Sequence, residues 1–286
     1  MQALKTWPVA ARRGITGVLT DIDDTLTTAG AITADALAAL AALKTAGFPV
    51  IAITGRSVGW SQAFALDWPV DAIVAENGAV ALFSSKKGLQ RKQDGRQQLL
   101  KLYQQDAVTR LANQARMQRV ASRVTAEVPG AVLAQDNLGR ETDLAIDHSE
   151  FAHLPPSAIA QTLRIMHSEG MNASVSSIHI NGWFGAHNKL EGARWIVHEL
   201  LGRDLDREIG RWVYVGDSTN DQLMFKAFPN SIGVANIARF LPLLDHRPRY
   251  VTQAARGAGF AEMANALLDS RTKSIVSTMN TGATSY

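Results

Sequence analysis

The sequence predicts an α/β protein with a Rossmann-like parallel sheet and an α/β cap domain inserted between the two halves of the sheet domain. Three observations predict this fold. Short apolar runs alternate with helix patterns near both ends of the 286-residue chain, and the stretch between them changes in texture. Acidic or hydroxyl side chains also follow several apolar runs, at the edge where such sheets bind ligands.

The first third of the chain alternates strand and helix. Thr33 is a suitable N-cap for a helix, and Gly47 is a suitable end for it. Leu37, Leu40 and Leu43 would share one face of this helix. Strands are predicted at residues 17–19, leading into Thr20 and Asp21, and at residues 50–53 and 72–75. This order is typical of a parallel sheet with right-handed crossovers.

The middle of the chain, from about Ser84 to Phe184, is predicted to be a separate α/β insert. A helix is expected at residues 99–120, and a second helix after Pro155 and Pro156 that ends at Gly170. Strands are expected at residues 131–133, 142–146 and 174–180, with a turn at 136–139. The last strand alternates in a way that suits one wet face.

The core pattern then resumes. It predicts a helix at residues 190–201, a strand at 212–215, a helix through Met224, a strand at 231–234 and a last helix at 260–268. The predicted organisation is therefore a discontinuous core domain at residues 1–84 and 185–270, a cap at 85–184, and a loose polar tail at 271–286.

Composition restricts the class of protein. With 46% hydrophobic and 19% charged residues, the chain has enough apolar material for a core. It has no cysteine, which excludes disulfides, thiolate metal sites and a cysteine nucleophile, and which suits a reducing cytoplasm. We predict neither a secretory signal nor a membrane segment, because no apolar run is long enough.

The charge balance argues against nucleic-acid binding. The net charge is +3 and the pI is near 9.3, whereas nucleic-acid binders usually concentrate basic residues in a stripe. The densest basic segment is either a solvated surface or a means of steering an anionic substrate. It consists of Lys86, Lys87, Arg91, Lys92 and Arg96.

Two acidic clusters follow predicted strands. Asp21, Asp23 and Asp24 come directly after the first strand, and a nearby cation would relieve their repulsion. Mg²⁺ suits such a place because it prefers oxygen ligands. A second cluster, containing Asp217 and Asp221, follows a later strand. An acidic turn and a helix cap are the alternatives for each cluster alone, but together they could hold a hard cation.

Two further groups suit a phosphate. Thr54, Gly55 and Arg56 follow the second strand, where a hydroxyl and backbone amides can hold phosphate oxygens or simply cap a helix. Lys189 opens a predicted helix, where its charge opposes the helix dipole. A bound phosphate would explain that position, and a surface lysine is the plainer alternative.

In this order the four pieces resemble the motifs of the haloacid dehalogenase superfamily of phosphohydrolases. The motifs are Asp21-Ile22-Asp23-Asp24-Thr25, Thr54, Lys189 and Gly216-Asp217-Ser218-Thr219-Asn220-Asp221. Many members have glycine where this chain has Asp24. The insert follows Glu76-Asn77-Gly78-Ala79, which resembles the type IIB branch. That branch includes Cof-like, sucrose-phosphate, trehalose-phosphate and mannosyl-phosphoglycerate phosphatases, and the phosphomannomutases.

The resemblance implies a Mg²⁺-dependent phosphatase for a small phosphorylated metabolite, with sugar phosphates as the leading class. It implies that Asp21 is the nucleophile and forms an aspartyl-phosphate, and that Asp23 is the general acid and base. It implies that Mg²⁺ is held by Asp21, the backbone carbonyl of Asp23 and Asp217, with help from Asp221. Thr54 and Lys189 would hold the phosphoryl group, and Asn220 would orient Lys189 or a metal ligand.

Specificity is expected to come from the cap. The candidate substrate-binding residues are Gly55 and Arg56 near the core, and Arg140, Glu141, Asp143, His179, Asn181 and Trp183 in the cap. A solvated strand face is the alternative for His179 and Asn181. A phosphomutase of the phosphomannomutase type and a non-catalytic phosphate-binding protein remain alternative functions. The sequence leaves the oligomeric state open.

Overall fold

The computed structural model describes residues 1–85 and 98–280, with side chains described as far as Arg271. The basic segment formed by Lys86, Lys87, Arg91, Lys92 and Arg96 lies outside the described residues.

Strands in the described part of the chain form one large sheet, one small sheet and a hairpin. They are β1 (Gln2–Ala3), β2 (Gly17–Thr20), β3 (Thr27–Thr28), β4 (Ala31–Ile32), β5 (Val50–Ile53), β6 (Ala72–Ala75), β7 (Val80–Ser84), β8 (Leu99–Tyr103), β9 (Val132–Leu133), β10 (Asp143–Asp147), β11 (Asn172–Val175), β12 (His179–Trp183), β13 (Trp212–Gly216), β14 (Asn230–Gly233) and β15 (Tyr250–Val251).

Helices cover both faces of the large sheet and one face of the small sheet. They are α1 (Val9–Arg13), α2 (Ala34–Thr45), α3 (Val58–Gln62), α4 (Ala107–Glu127), α5 (Pro156–Ser168), α6 (Lys189–Leu201), α7 (Leu205–Glu208), α8 (Gln222–Ala227) and α9 (Arg256–Asn280). Short 3₁₀ turns at Glu76–Gly78, Gln135–Gly139 and Thr219–Asp221 also border the site described below.

The large sheet has the order β1-β15-β14-β13-β2-β5-β6-β7-β8 among the described strands. Every pair from β1 to β6 is parallel, and β7 and β8 add an antiparallel edge. The central strands β13, β2 and β5 are therefore neighbours whose carboxyl ends point the same way. The predicted Rossmann-like α/β class is confirmed.

The core has two layers because successive residues of a strand point to opposite faces of the sheet. Val18 of β2 packs into the layer that contains α2 and α9, while Leu19 packs into the layer that contains α6 and α8. Both side chains are fully buried. The central strands are apolar on both faces, as expected for a parallel sheet covered by helices.

The small sheet forms a second unit with its own core. Its order is β11-β12-β10-β9, and all of its pairs are antiparallel. Val124 of α4, Met166 of α5, and Ile146 and Ile180 of the sheet pack together in one cluster. This unit lies within the stretch predicted as the cap, and its four strands span Val132 to Trp183.

Two sequence-based predictions about the insert are wrong, and part of the segment predicted as a polar tail is helical. Residues 99–103 form strand β8 at the edge of the large sheet, and the helix expected there begins only at Ala107. The strand expected at 174–180 is a hairpin, since β11 ends at Val175 and β12 begins at His179. Helix α9 continues to Asn280, into the segment expected to be a loose tail.

The first predicted helix differs in detail. Thr33 precedes α2 in extended conformation, but its side chain makes no capping hydrogen bond. Leu40 and Leu43 are buried, whereas Leu37 is 39% exposed, and Ala36 and Ala39 take its place in the core. No helix in the described part of the chain is both long and apolar enough to cross a membrane.

Candidate active site

The ends of the three central strands bring together the predicted catalytic groups. Asp21 follows β2, Thr54 follows β5 and Asp217 follows β13. The register aligns Thr20 with both Ala52 and Val215, so the three residues emerge at the same edge of the sheet. All three side chains are buried.

Lys189 reaches this edge from the first residue of α6. Its Nζ atom lies 2.7 Å from Oδ1 of Asp21 and 2.7 Å from Oδ1 of Asp221. Asn188 caps the helix by accepting hydrogen bonds from the backbone N–H groups of Leu190 and Glu191. The negative charges of these two carboxylates thus offset the unfavourable interaction between the Lys189 ammonium and the positive end of the helix dipole.

Close backbone packing fixes where α6 begins. The turn at Gly78 contacts the start of the helix so closely that a Cβ atom on Gly78 would lie 2.3 Å from the Asn188 carbonyl oxygen. Gly78 also has a φ of +106°, which L-residues with side chains rarely adopt. Glycine at this position therefore lets the turn after β6 approach the start of α6 closely.

Asp221 holds the surrounding loop together. Its Oδ2 atom accepts hydrogen bonds from the backbone N–H groups of Asp217 at 2.9 Å and Ser218 at 3.1 Å. Its Oδ1 atom accepts from Lys189 and from the hydroxyl of Tyr214. Because both carboxylate oxygens are already engaged, Asp221 is arranged as a positioning residue.

The cluster has the donor set that a hard cation requires. One oxygen from each of Asp21, Asp217 and Asp221 lies within 4.8 Å of the others. Oδ1 of Asp217 is buried and has no hydrogen-bond partner among the described residues. Burial and the charges of Asp21 and Asp221 raise the pKa of Asp217 well above its ordinary value. These observations fit Mg²⁺, which would be held directly by Asp21 and Asp217.

Asn236 and Arg239 orient the other oxygen of Asp217. The amide of Asn236 donates to Oδ2 of Asp217 at 2.9 Å and to the carbonyl oxygen of Asp24. The Arg239 guanidinium lies 3.6 Å from the same Oδ2 atom. Oδ1 is thereby left pointing into the acidic cluster, where a cation would bind. Asn236 and Arg239 were not among the residues predicted from the sequence.

Asp23 is paired with Arg56, two residues beyond Thr54. Nε of Arg56 donates to Oδ1 of Asp23 at 2.8 Å. Burial raises the pKa of Asp23, and the Arg56 charge opposes that rise without cancelling it. A raised pKa favours the protonated carboxyl group, which is the form that a general acid needs.

The side chains of Thr54 and Asp24 both make contacts close to the site. The Thr54 hydroxyl oxygen accepts a hydrogen bond from the backbone N–H of Arg56 at 3.0 Å. Asp24 has a φ of +54°, in the left-handed region that favours glycine. Its carboxylate pairs with Arg239 at 2.8 Å and Arg256 at 3.0 Å, which gives this chain a charged link in place of the glycine common at that position.

The comparisons with known proteins agree with this geometry. A family model for haloacid dehalogenase-like hydrolases matches residues 18–113, which include Asp21, Asp23 and Thr54. The matched stretch is about a third of the chain, and over it the chain is similar to haloacid dehalogenase-like hydrolases. The resemblance predicted from the four motifs is confirmed. No curated protein matches the chain by sequence.

Several solved structures share the fold of this protein. The sucrose-phosphatase of Synechocystis sp., in complex with sucrose and phosphate, is 15% identical, with a TM-score of 0.60 over 88% of this chain and 98% of that chain. A haloacid dehalogenase-like hydrolase from B. subtilis is 13% identical, with a TM-score of 0.58 over 88% and 99%. A subclass IIB sugar phosphatase is 12% identical, with a TM-score of 0.57 over 88% and 96%. At these identities the likeness shows the fold alone.

The cap contacts the core through Glu150, which sequence reasoning missed. Its carboxylate accepts two hydrogen bonds from Arg56, at 2.7 and 3.2 Å. One of its oxygens also lies 2.9 Å from Nε2 of His179. Arg56 in turn holds Asp23. Glu150 lies in a loop after β10 and carries no sequence signal, because its partner Arg56 is far away along the chain.

Arg140 and Asn181, two candidate substrate-binding residues, also join cap to core. NH1 of Arg140 donates to the Gly55 carbonyl oxygen at 2.9 Å, and the Asn181 amide donates to the same oxygen at 3.2 Å. Arg140 further pairs with Asp136 and Asp143. Since these contacts occupy the guanidinium, the structure places Arg140 in the domain junction. His179 and Asn181 are 1% and 0% exposed, so the expected wet strand face is wrong.

Glu76 anchors the strand that enters the cap. Its buried carboxylate accepts hydrogen bonds from the backbone N–H groups of Glu141 and Thr142 and from the Thr142 hydroxyl. Glu141 itself pairs with Lys101 and Tyr103 on β8. The hydrogen bonds to Glu76 attach the cap to the end of β6. The contacts with Lys101 and Tyr103 hold the side chain of Glu141 against strand β8.

Two other candidate residues, Asn220 and Trp183, make hydrogen bonds with close neighbours in the chain. The side chain of Asn220 accepts a hydrogen bond from the Ser218 hydroxyl at 2.9 Å, instead of contacting Lys189. Trp183 donates through Nε1 to the backbone carbonyl of His187 at 2.8 Å. Both side chains border a cavity beside Lys189, which is described below.

Proposed function

We propose that the protein is a Mg²⁺-dependent phosphatase that hydrolyses a small phosphorylated metabolite, with sugar phosphates as the substrate class. One observation carries the proposal. Lys189 lies 2.7 Å from Asp21 inside a buried acidic cluster in which Oδ1 of Asp217 has no partner among the described residues. A fixed ammonium, a carboxylate nucleophile and an oxygen site for a cation are what phosphoryl transfer needs.

In the first half-reaction, a carboxylate oxygen of Asp21 attacks phosphorus and the bond from phosphorus to the leaving oxygen breaks. Asp23 donates its proton to that leaving oxygen, which departs as an alcohol. Lys189 and the Thr54 hydroxyl would neutralise charge on the phosphoryl oxygens during the transfer. Bound Mg²⁺ would add positive charge at the same oxygens.

In the second half-reaction, water attacks phosphorus of the aspartyl-phosphate on Asp21. Asp23, now deprotonated, accepts a proton from that water, and the bond from phosphorus to the Asp21 oxygen breaks. Phosphate leaves and both carboxyl groups return to their starting forms. Arg56 would hold Asp23 in place throughout, since its Nε atom donates to Oδ1 of Asp23.

Sugar phosphates lead the substrate classes for two reasons. Two of the structural neighbours are a sucrose-phosphatase and a sugar phosphatase, and both share the cap-and-core fold. Polar contacts also join the cap to the core, as the hydrogen bonds of Arg140 and Glu150 illustrate.

The experiment that tests the proposal is a phosphate-release screen over a broad panel of phosphorylated metabolites, with Mg²⁺ and with EDTA. We expect Mg²⁺-dependent release from one or a few hydroxyl-rich phosphomonoesters. Interconversion of hexose phosphate isomers without free phosphate would instead identify a phosphomutase. Saturable binding without turnover of any ester would identify a non-catalytic phosphate-binding protein.

A further inference from the structure

A cavity of about 520 Å³ lies beside Lys189, between the core and the cap. The core contributes Asn77, Asn220 and Gln222 to its wall, and strand β11 of the cap contributes Ser174. His187, in the linker that returns from the cap to α6, forms part of the same wall. The cavity therefore adjoins the ammonium that contacts Asp21, and three residues of the four motifs line it: Lys189, Thr219 and Asn220.

Several buried polar atoms in this wall have no hydrogen-bond partner within the described ranges. They are both ring nitrogens of His187, Oγ of Ser174 and Oε1 of Gln222. The His187 side chain is only 4% exposed. Leaving a buried polar group unpaired is costly, so such atoms are normally satisfied by something that the cavity binds. Three different segments supply these atoms, which makes a shared ligand the simplest account.

The wall offers hydrogen bonds without net charge. Burial lowers the pKa of His187 to about 4, so its ring is neutral at pH 7 and presents one donor and one acceptor. The Nζ atom of Lys189 is already shared by Asp21 and Asp221. An ionised group placed in the cavity would lose its hydration and find no free counter-charge in the wall.

An aromatic surface completes the cavity. The Trp183 ring stacks on the His187 ring with centroids 5.7 Å apart, and Trp183 also lines the wall. Neutral donors and acceptors beside an aromatic face suit a ring or chain that carries hydroxyl groups on one side and C–H groups on the other.

We propose that this cavity binds the uncharged, hydroxyl-bearing part of the phosphate ester, with His187, Ser174 and Gln222 as its hydrogen-bonding residues. The proposal rests on the proposed phosphatase function and adds to it a location and a selectivity. Neutral polyol esters are accepted, and esters whose leaving group carries a second charge are rejected at this wall.

Replacing His187 by phenylalanine tests the inference, because the ring is kept and both nitrogens are lost. The hexose phosphate turned over best by the wild type is compared with phenyl phosphate, which has no hydroxyl group on its ring. At about 1 kcal/mol per lost hydrogen bond, we expect kcat/KM for the hexose phosphate to fall about tenfold or more relative to that for phenyl phosphate, mainly through KM. Gln222→Met should change the ratio in the same direction. His198→Phe, on the exposed side of α6, is the matched control.

A binding measurement keeps this test separate from catalysis. Calorimetric titration of the Asp21→Asn protein with a panel of hexose phosphates should show binding that His187→Phe weakens about tenfold. An unchanged substrate ratio in a folded His187→Phe enzyme would overturn the inference. So would a crystal structure with hexose phosphate bound in which the sugar lies elsewhere and the cavity holds only water. Absence of phosphate release from every ester, with hexose phosphate binding that depends on His187, would instead refute the phosphatase function and leave the cavity assignment standing.

Discussion

Nζ of Lys189 lies 2.7 Å from Oδ1 of Asp21, which joins the helix that follows the cap to the end of the first core strand. Burial alone would lower the pKa of Lys189, but Asp21 and Asp221 raise it above its ordinary value. The ammonium is therefore charged at every physiological pH. It both neutralises the acidic cluster and points at the place where a phosphoryl group would be transferred.

Replacing Lys189 by methionine should lower kcat by about 100-fold or more, because the fixed positive charge at the phosphoryl oxygens is lost. Phosphate release by the folded variant is the measurement. Lys226→Met, at an exposed position of α8, is the control and should keep wild-type kcat. Turnover of the Lys189 variant within a fewfold of the wild type would show that Lys189 has only a structural role.

Replacing Asp217 by asparagine should remove the stabilisation that Mg²⁺ gives to the wild type. Ligand binding to the native state raises the melting temperature, and Asp217 offers the unpartnered oxygen of the cluster. In the absence of metal, the variant should be at least as stable as the wild type, because one of three crowded carboxylates is gone. Thermal unfolding with Mg²⁺ and with EDTA measures both effects. Asp245→Asn, at an exposed position, should respond to Mg²⁺ as the wild type does.

Replacing Glu150 by glutamine should weaken the attachment of the cap to the core. The carboxylate accepts two hydrogen bonds from Arg56 and contacts His179, and charged hydrogen bonds are each worth about 1.5–3 kcal/mol. We expect kcat/KM to fall by roughly 10-fold to 100-fold if closure over the substrate depends on this link. Glu127→Gln, which disrupts a surface pair with Arg123, should change kcat/KM less than twofold. Equal effects of the two substitutions would contradict the proposed role of Glu150.

His187 should make the protein less stable in acid. Burial depresses its pKa to about 4, below the ordinary value of 6.5, so the unfolded chain binds this proton more readily than the folded protein. Its contribution to stability is present above pH 6.5 and is lost as the pH falls toward 4. Between pH 7 and pH 4.5, the free energy of unfolding of the wild type should fall by roughly 2.5 kcal/mol more than that of His187→Phe. Urea unfolding at the two pH values measures the difference, and parallel losses in both proteins would contradict it.

The sequence predicts the residues of the candidate active site better than it predicts the cap. Asp21, Thr54 and Asp217 each follow a short buried strand, and parallel strands bring such residues to one edge of the sheet whatever surrounds them. Lys189 could be found because a lysine at a helix start is locally unfavourable. The local sequence pattern was enough to predict these positions, because each residue directly follows a strand or begins a helix that the same pattern predicts.

The remaining features depend on contacts between distant segments. Residues 99–103 read as the start of a helix, but pairing with β7 at the edge of the large sheet makes them a strand. Glu150 and Asn236 have no local signal, because their roles come from Arg56 and from Asp217, which lie far away in the sequence. Arg140 was predicted to bind the substrate. In the structure its guanidinium pairs with Asp136 and Asp143 and donates a hydrogen bond to the carbonyl oxygen of Gly55.

The most direct test of the whole account is Mg²⁺-dependent phosphate release by the wild type and by Asp21→Asn, with the hexose phosphate turned over best. The amide is nearly the same size as the carboxylate but is a poor nucleophile, so the fold should survive and turnover should not. We predict rapid release by the wild type, no detectable release by Asp21→Asn, and a phosphorylated aspartate at position 21 in acid-quenched wild type. Full phosphate release by the folded Asp21→Asn protein would contradict the account.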